Sequence, residues 1–148
     1  MLTLDYRLDP NAAAKQAGVD LATAAPEALR YELFSGNVYL RGDGADFSAA
    51  WGWVPVLDFA LGLKAIAEVL EREPAERFEF TESNAALDFR IDGNDVEITS
   101  TYSPGGLRVP FSHFRDQVRL FVRRVIGELA TGNLRLAANP EIRRHLGS

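Results

Sequence analysis

The sequence predicts an α+β domain in which an antiparallel sheet packs against two long helices. Two long segments carry apolar residues at helical spacing, and several short segments alternate apolar and polar residues, as half-buried strands do. Turn residues separate the alternating segments, which favours antiparallel pairing. We therefore expect two layers, a sheet of five to seven strands and two long helices against its apolar face.

The central element is the apolar segment Phe47–Leu70, FSAAWGWVPVLDFALGLKAIAEVL. After Pro55 it is apolar on nearly every side, and a helix that is apolar all round is buried on more than one side. Proline suits a first helical turn, and Pro74 marks the end of the segment. We expect a regular helix over Pro55–Glu71.

The segment that precedes this helix contains alternating residues and turn signals. Ser35-Gly36-Asn37 has the composition of a hairpin turn. The predicted elements are, in order, a strand at Leu2–Tyr6, a short helix from Asp9-Pro10 to Gly18, and two strands at Leu29–Phe34 and Val38–Arg41.

The segment that follows the central helix is predicted to complete the sheet and supply the second long helix. The alternating strands are Phe78–Phe80, Leu87–Ile91 and Val96–Ile98, with a hairpin at Asp92–Asp95 and a short edge strand at Leu107–Pro110. The helix follows from Phe111 to Leu129, with Ser112 as its cap, Gly132 just past its end and Leu120 on its exposed side. Asn139-Pro140 opens a last short helix.

Composition predicts one domain over residues 1–148, because 47% hydrophobic residues in a chain of this length suffice for a core. The absence of cysteine excludes disulfides and thiol nucleophiles. The first ten residues lack a signal-peptide pattern, and the longest apolar run is interrupted by charges, so we expect a cytoplasmic protein without a membrane span.

No group of residues has the pattern of a catalytic or cofactor site. His113 and His145 are the two histidines, and neither has an acidic or nucleophilic partner in a recognisable motif. No serine has a nucleophile-elbow context, and no glycine cluster matches a phosphate loop. The acidic turns around Asp43 and Asp92 lack the spacing of a calcium loop. We expect no enzyme activity, no cofactor and no metal.

Three residues at the start of the central helix allow two interpretations. Asp58 suits the positive end of the helix dipole, and Trp51 and Trp53 suit the staple that holds a helix to its core. The alternative is that all three line the pocket of a small-molecule-binding domain or enzyme.

The net charge of −5 is unevenly distributed. Residues 1–100 carry 18 acidic and 8 basic side chains, whereas residues 101–148 carry 3 acidic and 8 basic ones. An acidic chain whose arginines lack interleaved aromatic residues does not suit nucleic acid. It does suit a basic protein partner.

The stretch Gly36–Leu63, GNVYLRGDGADFSAAWGWVPVLDFALGL, resembles a segment of small bacterial proteins that belong with toxin–immunity systems. This resemblance covers under a quarter of the chain and supplies no catalytic residues. It implies a non-enzymatic binder, most concretely an immunity-type protein that neutralises a protein toxin by direct binding. A further alternative is a self-associating structural subunit, so we expect a monomer or a weak homodimer.

Strand alternation also predicts where a partner binds. It directs one set of residues away from the helices, which gives a flat, acidic face. These residues are Arg77, Glu79, Asp88, Arg90, Glu97, Thr99 and Thr101. The predicted partner-binding residues are Glu79, Asp88, Arg90 and Glu97 on this face, together with Asp43 and Trp51 in nearby loops.

Overall fold

The chain forms an α+β fold, as predicted, with its strands grouped in runs between the helices. The structure is a computed structural model that describes residues 1–81 and 83–146. The strands are β1 Leu2–Leu8, β2 Ser35–Gly42, β3 Ala45–Asp46, β4 Ala49–Pro55, β5 Ala75–Glu79, β6 Ala86–Asp92, β7 Asp95–Ser100 and β8 Leu107–Pro110. The helices are α1 Ala12–Gln16, α2 Pro26–Tyr31, α3 Val56–Val69, α4 Phe111–Gly132 and α5 Pro140–Leu146, with a 3₁₀ turn at Leu136–Ala138.

The strands of the described residues form two antiparallel sheets of four, so the prediction of one sheet with five to seven strands is wrong. In the first sheet, β2 pairs with β1, β3 and β4. In the second sheet, the order is β5-β6-β7-β8. The alternation of apolar and polar residues identifies a strand but not the strands that pair with it. The apolar face of a strand can be buried equally well in either sheet.

The two long helices, α3 and α4, pack against each other and against both sheets. Helix α3 contacts β2, β4 and β5, and helix α4 contacts β1, β7 and β8. The buried apolar side chains of both sheets and both helices form one continuous cluster. The helix pair therefore joins the two sheets. The prediction of two layers is wrong, because both sheets share one core with the helices.

Helix α3 confirms the prediction of a helix buried on more than one side. It spans Val56–Val69, close to the predicted bounds, and Pro55 is its N-cap. Its fully buried side chains are Val56, Leu57, Phe59, Ala60 and Leu63. The preceding residues Ala49–Pro55 form strand β4 and not a lead-in to the helix. Their alternating small and aromatic residues therefore belong to a strand.

The region before β2 also differs from the prediction. Residues Pro26–Tyr31 form helix α2, because Pro26 occupies its first turn, so Leu29–Phe34 is not a strand. Ser35–Asn37 is not a turn but the start of β2, where Gly36 lies opposite Leu8. A Cβ on Gly36 would lie 2.1 Å from the carbonyl oxygen of Arg7, so this close approach requires glycine.

The second half of the chain follows the prediction closely. Asp92 and Asp95 close the β6–β7 hairpin, and β8 is the edge strand at Leu107–Pro110. Helix α4 begins after Pro110 without a side-chain cap, so the prediction that Ser112 caps it is wrong, and Gly132 is its last residue. Leu120 is 55% exposed, as its place on the helical wheel predicts.

The C-terminal helix α5 begins where the sequence predicts it. Asn139 Oδ1 accepts a hydrogen bond from the backbone N–H of Glu141 at 2.9 Å. Asn139 also donates to the carbonyl oxygens of Leu21 and Ala24, which holds the start of α5 against the loop before α2. The last two residues of the predicted tail, 147 and 148, lie outside the described residues.

In residues 1–81 and 83–146, none of the helices is sufficiently long and apolar to cross a membrane.

Candidate functional site

The second sheet has one face packed on the helices and one face open to solvent. Alternation buries the apolar residues on the inner side, as predicted, apart from Ile91, which is half-buried. The buried residues of this inner side are Phe78, Leu87, Phe89, Val96 and Ile98, with Phe80 just beyond β5. We call the solvent side of strands β5–β8 the open face.

Ion pairs cross the open face from strand to strand. Arg77 holds Asp88 with two parallel hydrogen bonds, from Nε to Oδ1 at 2.8 Å and from Nη2 to Oδ2 at 3.0 Å. Arg90 Nη2 donates to Glu97 Oε1 at 2.5 Å. Arg108 donates to the other oxygen of Glu97, Oε2, at 3.3 Å. The sheet register places these partners directly opposite one another.

The hairpin end of the open face is the most acidic part. Arg108 Nη2 lies 2.6 Å from Asp92 and its Nη1 lies 3.7 Å from Asp95, so one guanidinium contacts three carboxylates, including Glu97. The hydrogen bond from Arg108 lowers the pKa of Asp92, and the hydrogen bond from Arg90 lowers the pKa of Glu97. These carboxylates therefore stay ionised well below neutral pH.

Carboxylates outnumber guanidinium groups on the open face. The charged residues that the register places there are Arg77, Glu79, Asp88, Arg90, Asp92, Asp95, Glu97 and Arg108. Five are acidic and three are basic, which leaves a net charge of −2. Their ion-paired side chains are 30–61% exposed, so the face meets solvent.

A shallow depression lies on the β5–β7 part of the open face, where the small side chain of Ala75 stands opposite Arg90. The polar side chains that line it belong to neighbouring strands. They are Glu76, Arg77, Asp88, Arg90, Glu97 and Thr99. The depression is thus surrounded by groups that can form hydrogen bonds with a partner.

The predicted partner-binding residues fall into three places. Asp88, Arg90 and Glu97 belong to the ion-pair network of the open face, and exposed Glu79 lies at the end of β5 on the same face. Asp43 lies elsewhere, on the turn between β2 and β3, where its 91% exposed side chain is 3.3 Å from the amino group of Met1. The sixth residue, Trp51, lies in a separate aromatic group.

The tryptophans lie on strand β4 and not on a helix staple. The ring of Trp51 stacks on that of Trp53, with centroids 5.3 Å apart. The rings of Phe80 and Tyr102 make T-shaped contacts with Trp51 at centroid distances of 5.3 and 5.2 Å. We call these four residues the aromatic shelf. It joins the first sheet to the end of the second one.

Asp58 has a partner that the sequence does not reveal. It is only 7% exposed, and its Oδ1 accepts a hydrogen bond from Arg30 Nε of helix α2 at 2.6 Å. The hydroxyl of Thr81 lies 3.5 Å from the other oxygen. The depression beside this pair is lined by Tyr31, among others, but by neither Trp51 nor Trp53. The three residues of the pocket interpretation therefore do not share this depression.

The Asp58→Asn substitution is expected to lower the free energy of unfolding by about 1–3 kcal/mol. This exceeds the helix-dipole contribution alone, because the neutral amide leaves the charge of Arg30 without its partner. The partial exposure of Arg30, 35% for its side chain, keeps the cost below that of a fully buried pair. Urea denaturation of Asp58→Asn, Arg30→Met and the double variant measures the coupling. Additive costs would contradict the pairing.

The histidines have structural contacts. His113 Nε2 accepts a hydrogen bond from the backbone N–H of Leu2 at 3.3 Å, which ties β1 to α4. His145 Nδ1 lies 3.0 Å from Lys64 Nζ, so α5 is linked to α3. Burial, followed by the positive charges of Lys64 and Arg144, lowers the pKa of His145 below its ordinary 6.5, against an opposing effect of Glu141.

This lowered pKa predicts a loss of stability on mild acidification. As the pH falls, His145 takes up a proton in the unfolded chain before it does so in the folded chain. The contribution of neutral His145 to the free energy of unfolding is therefore complete above the ordinary pKa and decreases as the pH drops below it. Between about pH 7.5 and 5.5, the free energy of unfolding should fall more for wild type than for His145→Gln. Urea denaturation at both pH values is the measurement, and equal pH dependence of the two proteins would contradict it.

Metal coordination has no candidate cluster in residues 1–81 and 83–146, where no group of three or more His, Cys, Asp or Glu side chains is placed to hold an ion. The carboxylates of the acidic turns accept hydrogen bonds from backbone N–H groups of the same turn instead. Asp46 Oδ1, for example, accepts a hydrogen bond from the N–H of Ser48 at 2.9 Å.

Comparison with protein-family models, with curated proteins and with solved structures gives no match for this chain.

Proposed function

We propose that the protein is a binding protein that recognises a basic protein partner through the open face. The observation that carries this proposal is the ion-pair network of β5–β8, in which every arginine contacts carboxylates and the carboxylates remain in excess. A partner with exposed lysine or arginine finds fixed acceptors there. Charge complementarity of this kind accelerates encounter and sets specificity.

The rigidity of the open face favours binding further. Glu97 is held from both sides by Arg90 and Arg108, and Asp88 is held by both hydrogen bonds of Arg77. Side chains that are already ordered lose less conformational entropy when a partner docks. The four-stranded sheet beneath them, backed by α3 and α4, keeps their spacing fixed.

The form of this function that we favour is neutralisation of a protein toxin by an immunity-type protein. The acidic open face and the resemblance of Gly36–Leu63 support it. In this proposal the protein covers a basic functional surface of the toxin and carries out no reaction itself.

The experiment uses the purified protein as bait in a lysate of the cells that encode it, with quantification by mass spectrometry. Three baits are compared: wild type, a variant with Glu79, Asp88 and Glu97 changed to Lys, and a control with Glu27, Glu32 and Asp116 changed to Lys. The control residues are exposed and lie outside the second sheet. Both variants change the net charge from −5 to +1. Because the open-face variant also breaks the ion pairs of Asp88 and Glu97, urea denaturation must first show that it is folded.

The proposal predicts a basic protein that wild type and control capture and that the open-face variant loses. Expression of this partner alone should then inhibit growth, and co-expression of wild type should relieve the inhibition. Capture by all three baits would place the binding site elsewhere. A captured partner without toxicity would contradict the immunity-type function and leave the binding function standing.

A further inference from the structure

Strand β5 is a free edge of the second sheet. It pairs with β6 on one side and with none of the described strands on the other. The backbone N–H of Phe80 donates to the carbonyl oxygen of Ala85, which lies opposite it on the β6 side. Such bonds recur at every second residue of an antiparallel pair, so the N–H and C=O groups of Ala75, Arg77 and Glu79 point away from β6.

The outward N–H groups of β5 lack a partner strand. The N–H of Arg77 donates instead to the carboxylate of the preceding residue, Glu76, at 2.8 Å. The outward N–H groups of Ala75 and Glu79 have no hydrogen-bond partner among the described residues. A row of exposed backbone groups of this kind is a template on which a further strand can pair.

The other edge of the second sheet, strand β8, is protected by proline. The N–H of Phe111 donates to the carbonyl oxygen of Asn94, so the residues of β8 whose backbone points away from β7 are Arg108 and Pro110. Proline has no N–H, which leaves β8 with the outward donor of Arg108 alone. Strand β5 contains no proline, and it therefore offers more hydrogen bonds to an added strand.

A groove beside β5 leaves room for an added strand. The depression next to Asp58 continues along this edge, with Arg77 and Glu79 on one wall and helix α3 on the other. The residues of α3 that line it are small or apolar: Gly62, Ala65, Ile66 and Val69. Alternate side chains of an added strand would meet this apolar wall, and the others would extend the open face.

The charges along β5 determine which strand fits. Arg77 and Glu79 both point to the open face, two residues apart. Arg77 binds Asp88 through Nε and Nη2, which leaves its Nη1 outside that pair. Glu79 has no ion pair or hydrogen bond among the described residues. An antiparallel strand that carries the same two residues places an acid opposite Arg77 and a base opposite Glu79, and β5 of a second copy is such a strand.

We infer that two copies of this chain associate through β5, antiparallel and edge to edge, across a two-fold axis at Phe78. The two-fold registers in which the outward groups face each other are centred on Arg77, Phe78 or Glu79. The register centred on Phe78 places Arg77 opposite Glu79 of the second copy, twice. The other two registers place like charges opposite each other at the axis, which is unfavourable. The two four-stranded sheets thereby become one sheet of eight strands with a continuous open face.

Charge reversal at β5 tests the inference without any other partner. Because one strand pair buries little surface, we expect a weak dimer, which sedimentation velocity of the full chain detects between about 10 µM and 1 mM. Arg77→Glu and Glu79→Arg should each weaken dimerisation at least about 5-fold, because each places like charges opposite one another twice. An equimolar mixture of these two variants should form a heterodimer, because each charge in it again faces its opposite. The double variant, whose net charge equals that of wild type, should dimerise as wild type does.

Arg77→Pro and Arg77→Ala separate the contribution of the backbone from that of the side chain. Both remove the charge, but only proline removes the outward N–H. That N–H lies outside the β5–β6 ladder, so proline is compatible with this edge. Arg77→Ala should weaken dimerisation, and Arg77→Pro should weaken it further. In the wild type, the amide protons of Ala75 and Glu79 should exchange more slowly as the protein concentration rises.

Several outcomes would overturn the inference. They are a wild-type chain that stays monomeric up to about 1 mM, a mixture of Arg77→Glu and Glu79→Arg that stays monomeric although urea denaturation shows both to be folded, and a dimer that each of these variants retains. Leu120→Asp is the control, because Leu120 is 55% exposed on helix α4. Loss of the dimer in Leu120→Asp alone would place the contact on α4 instead.

Dimerisation through β5 goes beyond the proposed function and does not depend on it. Glu79 belongs to both surfaces, so a variant that combines Asp88→Lys with Glu97→Lys separates them by leaving Arg77 and Glu79 unchanged. It should lose the basic partner and still dimerise. If it keeps the partner, the proposed function fails and the dimer stands. If Arg77→Glu dimerises as wild type does, this inference fails whatever the capture experiment gives.

Discussion

Phe59→Ala is expected to lower the free energy of unfolding by about 3–5 kcal/mol, the usual cost of emptying a buried phenylalanine site. Phe59 is fully buried in α3, and its ring contacts Phe78 at 5.5 Å, Phe80 at 6.1 Å and Phe121 at 6.0 Å. These partners belong to the second sheet and to α4, so one side chain joins three parts of the core. A domain of this size has only about 5–15 kcal/mol of stability.

The matched control is Phe111→Ala. Phe111 is half-buried at the start of α4, where it stacks on Phe114 at 6.3 Å. Because it still reaches water, its removal should cost clearly less than that of Phe59. Urea denaturation of the three proteins gives both values from the midpoints and slopes. A loss at Phe59 no larger than that at Phe111 would contradict the packing described here.

Gly36→Ala is the second substitution with a large expected effect. Its Cβ would lie 2.1 Å from the carbonyl oxygen of Arg7 and 2.8 Å from the Cα of Leu8, and neither backbone atom can move without shifting β1. Gly36 lies in β2, paired with both β1 and β4. We expect a loss of at least about 1–3 kcal/mol in the free energy of unfolding, as for other overpacked sites.

Gly127→Ala is the matched control for this substitution. Gly127 lies within α4, and an added Cβ would meet no atom within 4 Å. Alanine favours a helix over glycine by about 1 kcal/mol, so this variant should be as stable as wild type or more stable. Thermal or urea denaturation measures both variants. Equal effects of the two substitutions would contradict the close approach of β1 and β2.

The open face is the part of the site that the sequence predicts best. Alternation depends only on the period of two along a strand, so Arg77, Asp88, Arg90 and Glu97 share a face wherever their sheet lies. The hairpin at Asp92–Asp95 then sets the register that pairs Arg90 with Glu97. The ion pairs of Arg77 and Arg108 depend instead on the pairing of β5 with β6 and of β7 with β8, which alternation alone does not supply.

Contacts between distant segments of the chain could not be predicted from the sequence. Arg30 and Asp58 are 28 residues apart, and no pattern links them. The division into two sheets also depends on long-range packing, because α3 and α4 contact strands of both sheets. Strand β4 was missed because its apolar residues run directly into those of α3, and an apolar run does not show where a strand becomes a helix.

The association rate with the captured partner tests the open face most directly. We expect the wild-type rate constant to fall steeply as salt rises from about 0.05 to 0.5 M, because salt screens the charges that steer encounter. The Glu27, Glu32 and Asp116 control should retain most of this rate and its salt dependence. The Glu79, Asp88 and Glu97 reversal should associate slowly at every salt concentration. Equal losses in both variants would show that only net charge matters, and that result would contradict the assignment of the open face as the binding site.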